Sequence, residues 1–287
     1  PLRGRFVADV EGVVTSRIRG RFSLATVPGA EDDDPATSEA VWVDAGRGRV
    51  PAVGDRVRVT GRVEEQRPGG VESNLSTTRL SLTQPWELVA SGHPLPQPVE
   101  IGPGGRHTPR MVIDDDTAGG DVEAGRTRFD PRDDGLDFWE SLEGMLIRLD
   151  GAHATGPSSR WGEVPVVPAD AEPLTDRGLA RLTEDDARPE RILIDDALVR
   201  TPEVQASDGF GGPLVGVVDY SFGIFKLLLT EPVSRVARGV EDERAPAAPD
   251  GALVVASYNM ENLSARTEPT RFAELADHVV HALGAPD

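Results

Sequence analysis

Two runs of alternating arginines are the first residues in this chain whose type and spacing could do chemistry. Arg17, Arg19 and Arg21 alternate ahead of Phe22, and Arg56 and Arg58 alternate within Val53–Val63. In a strand, residues two apart share a face. Guanidinium groups on such a face contact phosphates, and a ring such as Phe22 or Trp42 beside them stacks on a base, worth ~1–3 kcal/mol per base. The same arginines serve equally well as solvent-face charges paired with nearby acids, with Phe22 and Trp42 as core.

A second group of residues suits cations. Glu31 to Asp34, Asp114 to Asp116, Asp133-Asp134 and Asp195-Asp196 offer hard oxygen ligands for calcium or magnesium. Adjacent residues of a strand point to opposite faces, however, so acids placed at turns and strand ends are the plainer expectation. His278 and His281 lie three apart and supply two of the ligands zinc needs, with no third nearby. His153 is isolated and expected to be structural or solvated. Near the end of the chain the apolar run Leu253–Ala256 gives way to Ser257-Tyr-Asn-Met-Glu-Asn262. A buried strand that ends in such a polar cluster aims side chains into solvent, which makes Asn259 and Glu261 candidate site residues.

Composition bounds these possibilities. The chain has 287 residues and a formal net charge of −19, which argues against a generic polyanion binder. The charge is uneven: residues 1–92 hold 12 Arg and 13 Asp or Glu, whereas residues 93–252 hold 16 basic and 31 acidic groups. Only the first segment therefore fails to repel a nucleic acid strongly. There is no Cys, so disulfides and thiolate metal sites are excluded. No apolar run is long enough to span a membrane as a helix. The chain starts at Pro1, as expected of a processed protein or a piece of a longer one.

The elements that must position these residues are mostly strands. Phe6–Ser16, Arg17–Ala25, Ala40–Asp44, Val53–Val63, Thr77–Leu82 and Trp86–Val89 are short β-like runs separated by Gly-rich turns, the pattern of a small barrel or sandwich over residues 1–92. Residues 93–135, with Pro94, Pro96, Pro98 and Pro103, read as an extended joining segment in which Met111–Asp116 forms a brief strand. Residues 136–240 form a second β unit with a hairpin turning near Ser221–Gly223, in which Tyr220, Phe222 and Phe225 cover the hairpin and core, with binding as the lesser alternative. Leu142-Glu-Gly-Met-Leu-Ile147 echoes Val10-Glu-Gly-Val-Val14, and Arg191-Ile-Leu-Ile-Asp-Asp196 echoes Met111-Val-Ile-Asp-Asp-Asp116, which suggests a duplicated barrel. Residues 241–252 are a linker. Over 253–287, Phe272, Leu275, Ala276, Val279, Val280 and Leu283 follow helical spacing, and Gly284 and Pro286 stop the helix.

Several runs resemble a known family. Val53-Gly-Asp-Arg-Val-Arg-Val-Thr-Gly61, Phe138-Trp-Glu-Ser-Leu-Glu-Gly-Met145, Trp161-Gly-Glu-Val-Pro-Val-Val167 and Val217-Val-Asp-Tyr-Ser-Phe-Gly-Ile-Phe-Lys-Leu227 look like the segments ahead of the catalytic domain in bacterial extracellular nucleases of the endonuclease/exonuclease/phosphatase superfamily. The strand closing in Tyr258-Asn259 resembles that superfamily's opening strand. The resemblance implies a mainly β chain, with tandem OB-like β-barrel domains followed by the first strand and helix of an α/β sandwich. It implies a metal role for Asn259 and Glu261, and Mg²⁺ (or Ca²⁺ or Mn²⁺) as the cofactor of the full-length enzyme, none being required by this fragment. It further implies secretion, and DNA or RNA held through residues 1–92 by Arg17, Arg19, Arg21, Phe22, Trp42, Arg56 and Arg58. The partner would be the remaining catalytic domain of the same polypeptide. The metal-binding Glu, catalytic Asp and general-base His of that superfamily have no match here, so the fragment alone is expected to be inactive. A β module that only spaces or packs against the catalytic domain, or a phosphatase or phosphodiesterase of the same superfamily, are the rival expectations.

Overall fold

The computed structural model describes residues 3–32, 34–117, 123, 127–172, 174–184, 186–239, 244–246, 249–260 and 262–283. The chain divides into two compact units, Pro1–Arg238 and Gly239–Asp287.

The first unit is almost wholly β. Its opening sheet contains β1 (Phe6–Ile18), β2 (Arg21–Ala25), β3 (Ala40–Asp44), β4 (Arg56–Gln66), β5 (Thr77–Leu82) and β6 (Glu87–Ala90). β1 pairs with β2, β2 with β3, β3 with β5, β5 with β4, and β4 returns to β1, which closes a five-stranded barrel with β6 added on β4. All these pairs are antiparallel except β3–β5. That order is the OB barrel. β1 closes it by pairing with β4 through its first half and β2 through its second. Alternate residues Phe22, Leu24, Val43, Val57, Val59 and Leu80 fill the interior.

The second sheet repeats the order. It contains β7 (Val99–Ile101), β8 (Leu146–Leu149), β9 (His153–Ala154), β10 (Val164–Val167), β11 (Ile192–Asp195), β12 (Gly209–Phe210), β13 (Leu214–Ser221), β14 (Ile224–Leu229) and β15 (Arg235–Val236). β8 and β9 are two halves of one first strand, broken at Gly151, whose φ of 64° lies in the left-handed region that glycine tolerates. β9 pairs with β10, β10 with β11, β11 in parallel with β14, β14 with β13, and β13 with β8. The five roles are those of the first barrel, so the chain holds two OB-like barrels in tandem. The helix α1 (Gly135–Glu140) leads into β8 and buries Phe138 and Trp139 in the second core.

One glycine in each barrel marks the repeat. Gly61 of β4 sits opposite Leu82, and Gly216 of β13 sits opposite Leu229. A Cβ on Gly61 would lie 2.4 Å from the Ser81 carbonyl oxygen, and one on Gly216 would lie 2.4 Å from that of Leu228. Both barrels thus bring the fourth and fifth strands together over a bare backbone.

Some expected elements differ. Residues 93–135 contribute β7, which extends the second sheet in parallel with β8 and buries Ile101 in its core. Met111–Asp116 forms no strand, so its echo of Arg191–Asp196, which contains β11, is one of sequence only. In the second unit α2 (Pro269–Asp277) forms where the spacing predicts a helix, and the chain continues through one π turn, His278–Ala282. Leu253–Ala256 is not a strand: Leu253 and Val255 are 77% and 83% exposed. A strand needs a neighbour to take up its N–H and C=O groups, and the described residues of this unit contain no other strand. Gly284 and Pro286, the expected helix stop, lie outside the described residues.

Candidate nucleic-acid interface

The residues expected to bind nucleic acid do not share one surface. Phe22 points into the first barrel and is fully buried. Arg21, Ser23 and Trp42 point outward from β2 and β3, but the second barrel covers them. Trp42 is fully buried among Leu146, Val215, Val217 and Leu228, and its Nε1 donates to the Val218 carbonyl at 3.3 Å. The Arg21 guanidinium lies 4.4 Å from the Trp42 ring and donates to both carboxylate oxygens of Asp219, at 3.0 and 2.6 Å. Ser23 Oγ donates to the Gly144 carbonyl and Ser38 Oγ to that of Glu143. The loop joining β4 to β5 also leans on the second barrel, where Leu75 N–H donates to Tyr220 Oη. OB folds bind oligonucleotides and oligosaccharides over the second and third strands and the adjoining first–second and fourth–fifth loops. In the first barrel this surface is the seat of the second barrel.

Arg56 and Arg58 converge on Glu11 instead, each donating two hydrogen bonds to its carboxylate. Arg58 first and then Arg56 hold the Glu11 carboxyl below its usual range, and Glu11 raises Arg58 in return. Arg58 also pairs with Glu87 at 3.5 Å, so carboxylates offset this pair's charge in place. Arg17 and Arg19 remain exposed at the end of β1.

The cation-binding expectations find no assembled centre. Among the described residues no group of three His, Cys, Asp or Glu side chains could hold a metal ion. Asn259 is exposed and Glu261 lies outside the described residues. One neutral oxygen donor does not make a metal site, so the described residues do not fit the divalent ion that the resemblance implies. His278 Nδ1 pairs with Tyr258 Oη at 2.7 Å and His281 Nδ1 with Asp277 at 2.8 Å, two separate contacts. Asp32 accepts hydrogen bonds from Thr37 and from the Asp34 N–H, which ties its loop into a turn. Asp195 is bound to Lys226. His153 is buried, and burial lowers its pKa.

The second barrel exposes what the first one covers. Its first–second loop, residues 155–163, projects Trp161, which is 63% exposed with the Arg160 guanidinium 4.1 Å from its ring. Its fourth–fifth loop is the two-residue turn Phe222-Gly223, with φ of 54° and 81°. These are the left-handed angles of a type I′ hairpin, which suit Asn-Gly and strain an aromatic residue. Phe222 is 90% exposed, contrary to the expectation that it covers the hairpin. Lys226 lies between the two loops. It contacts Glu163 and Asp195 and sits 5.3 Å from the Phe222 ring centre. Burial alone would lower the Lys226 pKa, but these two carboxylates hold it above its ordinary value. Sequence reasoning does not mark Trp161 and gives binding by Phe222 only as the lesser alternative. The available signal is position: Trp161 in a Ser/Gly loop and Phe222 at the tip of a two-residue turn.

Residues 100–238, which span the second barrel and its flanks, match the family model described as "Domain of unknown function (DUF8508)". No curated protein matches the chain. Among solved structures, a crystal structure of a deletion mutant of the single-stranded DNA binding protein from Thermus aquaticus aligns at 12% identity over 84% of this chain and 99% of that one, with a TM-score of 0.22. The assignment of two OB-like barrels rests on strand order and pairing.

Proposed function

We propose that this chain is the non-catalytic N-terminal region of a metal-dependent secreted nuclease of the endonuclease/exonuclease/phosphatase type. The full-length protein hydrolyses phosphodiester bonds of DNA, with Mg²⁺ (or Ca²⁺ or Mn²⁺) held by the catalytic domain. The two barrels form a body that orients that domain and the strand it cuts. One observation carries the reading: a repeated OB strand order stands ahead of an apolar run, Leu253–Ala256, that forms no strand and holds Leu253 and Val255 in water. An opening strand of a sandwich is in that condition without its neighbouring strands. The motifs that resemble the family fall on defined parts of the barrels, with Gly54-Asp55 in the turn before β4 and Ser221–Gly223 at the tip of the second barrel's hairpin. The test is plasmid cleavage by the complete gene product and by residues 1–287 alone. Cleavage by the former only, abolished by a chelator, is expected. Cleavage by residues 1–287, or by neither protein, contradicts the proposal.

A second reading, a spacing module that touches no nucleic acid, is favoured by the burial of Trp42 and the engagement of Arg21 by Asp219. A salt titration of single-stranded DNA binding separates the two. If Arg17 and Arg19 contact phosphates, replacing both with Ala reduces the slope of log K against log salt by about 0.7 for each phosphate no longer neutralised. Unchanged binding counts against Arg17 and Arg19 as the phosphate contacts, and no binding supports the spacer.

A further inference from the structure

The open face of the second barrel has the makings of a ligand site that the nuclease reading does not need. Its first–second loop is built rigidly. Ser159 Oγ accepts from the N–H groups of Trp161 and Glu163, and Thr201 Oγ1 donates to the Gly162 carbonyl. Ser158 Oγ accepts from the Val204 N–H. These bonds tie down the loop that carries the exposed Trp161, which lowers the ordering cost of binding a ligand there. The loop and the segment after β11 form an open cleft of about 530 Å³, lined by Arg160, Trp161, Asp196, Arg200, Thr201 and Glu203. Glu163, two residues past Trp161, contacts the buried Lys226, whose ammonium lies 5.3 Å from the centre of the exposed Phe222 ring.

The charges of this face decide which ligand suits it. The exposed Arg160 and Arg200 stand beside Asp196 and Glu203, and the buried Lys226 is already taken up by Glu163 and Asp195, in a chain whose net charge is −19. A polyanion gains affinity by replacing counterions with protein cations, and a face with at least as many carboxylates as cations offers little of that. A neutral, hydroxyl-rich chain meets no such barrier. Its hydroxyls donate to Asp196 and Glu203 and accept from Arg200, and the apolar C–H face of a sugar ring lies on an indole or phenyl ring. OB folds bind oligosaccharides through these same loops. We infer that the second barrel binds a neutral oligosaccharide across Trp161 and Phe222, with Asp196, Arg200 and Glu203 reading its hydroxyl groups. This site is independent of whether the parent protein is a nuclease.

The test is calorimetric titration of the full chain with cellohexaose, maltohexaose and chitohexaose, and with the oligonucleotide dT12 as the anionic comparison, at low and high salt. At least one hexasaccharide is expected to bind with Kd of about 1 mM or tighter, unchanged by salt. Trp161→Ala and Phe222→Ala, both at exposed positions, are each expected to weaken binding about tenfold or more while leaving the circular dichroism spectrum unchanged. Asp196→Asn tests the hydroxyl contact in the same way. Failure of all three hexasaccharides overturns the inference. So does saccharide binding that survives both aromatic substitutions, or salt-dependent binding of dT12 that Trp161→Ala abolishes, which would assign the face to nucleic acid.

Discussion

Arg21 and Asp219 stand 198 residues apart in the chain and join through two hydrogen bonds, with the Arg21 guanidinium laid against Trp42. Each belongs to a different barrel, so this contact reports on how the two barrels meet. Breaking one side of such a pair leaves a desolvated charge, which costs about 3–5 kcal/mol in fully buried cases. Arg21→Ala and Asp219→Ala are each expected to destabilise toward the lower end of that range, because Arg21 keeps some access to water. Arg21→Ala/Asp219→Ala should cost clearly less than the sum of the two. Urea unfolding of the four proteins gives the cycle, and additivity within error would mean that the pair contributes no coupling.

The two strand glycines give a second prediction. Gly61→Ala and Gly216→Ala each place a methyl group 2.4 Å from a carbonyl oxygen of the facing strand. Backbone must shift, so a loss of about 1–3 kcal/mol is expected at each position. Gly212→Ala, where an added Cβ meets nothing within 4 Å, serves as the control and should change stability little. Equal effects at all three positions would remove the argument for a repeated close approach.

A third prediction concerns pH. Glu143 lies where the barrels meet, its carbonyl accepting from Ser38, and its Oε1 has no hydrogen-bond partner among the described residues. Burial pushes its carboxyl well above the usual value of 4.5. Only the Thr78 N–H opposes this, and Glu140, Asp219 and Glu65 reinforce it. The folded state therefore holds a proton that the unfolded chain has released. Stability from that proton is complete below the unfolded value and is lost as pH rises from 4.5 toward the folded value. Glu143→Gln should raise the thermal midpoint at about pH 8, with ~2–4 °C expected for each 1 kcal/mol gained, and the gain should shrink toward pH 4.5. A variant less stable than the parent at the higher pH would contradict this.

Much of the architecture is legible in the sequence. The Gly-Asp turn ahead of β4, the hairpin over 214–229 and the helix over 269–277 follow from turn chemistry and periodicity. The use of Arg21 and Trp42 does not. Alternation tells which residues share a sheet face, but not what covers that face from outside. The signal lies in the partner strand: Leu214–Tyr220 is nearly all apolar because Leu214, Val218 and Tyr220 fill its own barrel while Val215 and Val217 pack on Trp42. The run Leu253–Ala256 shows the converse. Its composition suits a strand, yet pairing is a tertiary property and the described residues of its unit contain no other strand. Trp161 and Phe222 escape a sequence reading because aromatic residues count first as core, and only the fold shows that their loops hold them in water.

The second barrel covers the outer face of β2 and β3 of the first, and amide hydrogen exchange of the full chain and of Trp42→Ala tests this most directly. Removing a fully buried Trp costs about 3–5 kcal/mol. Exchange is predicted to quicken not only in β2 and β3 but also in β13 and β14, around Val215, Val217 and Leu228, which pack on that ring. Faster exchange confined to residues 3–92, with β13 and β14 as protected as in the parent, would contradict the account and return the outer face of β2 and β3 to the candidates for nucleic-acid binding.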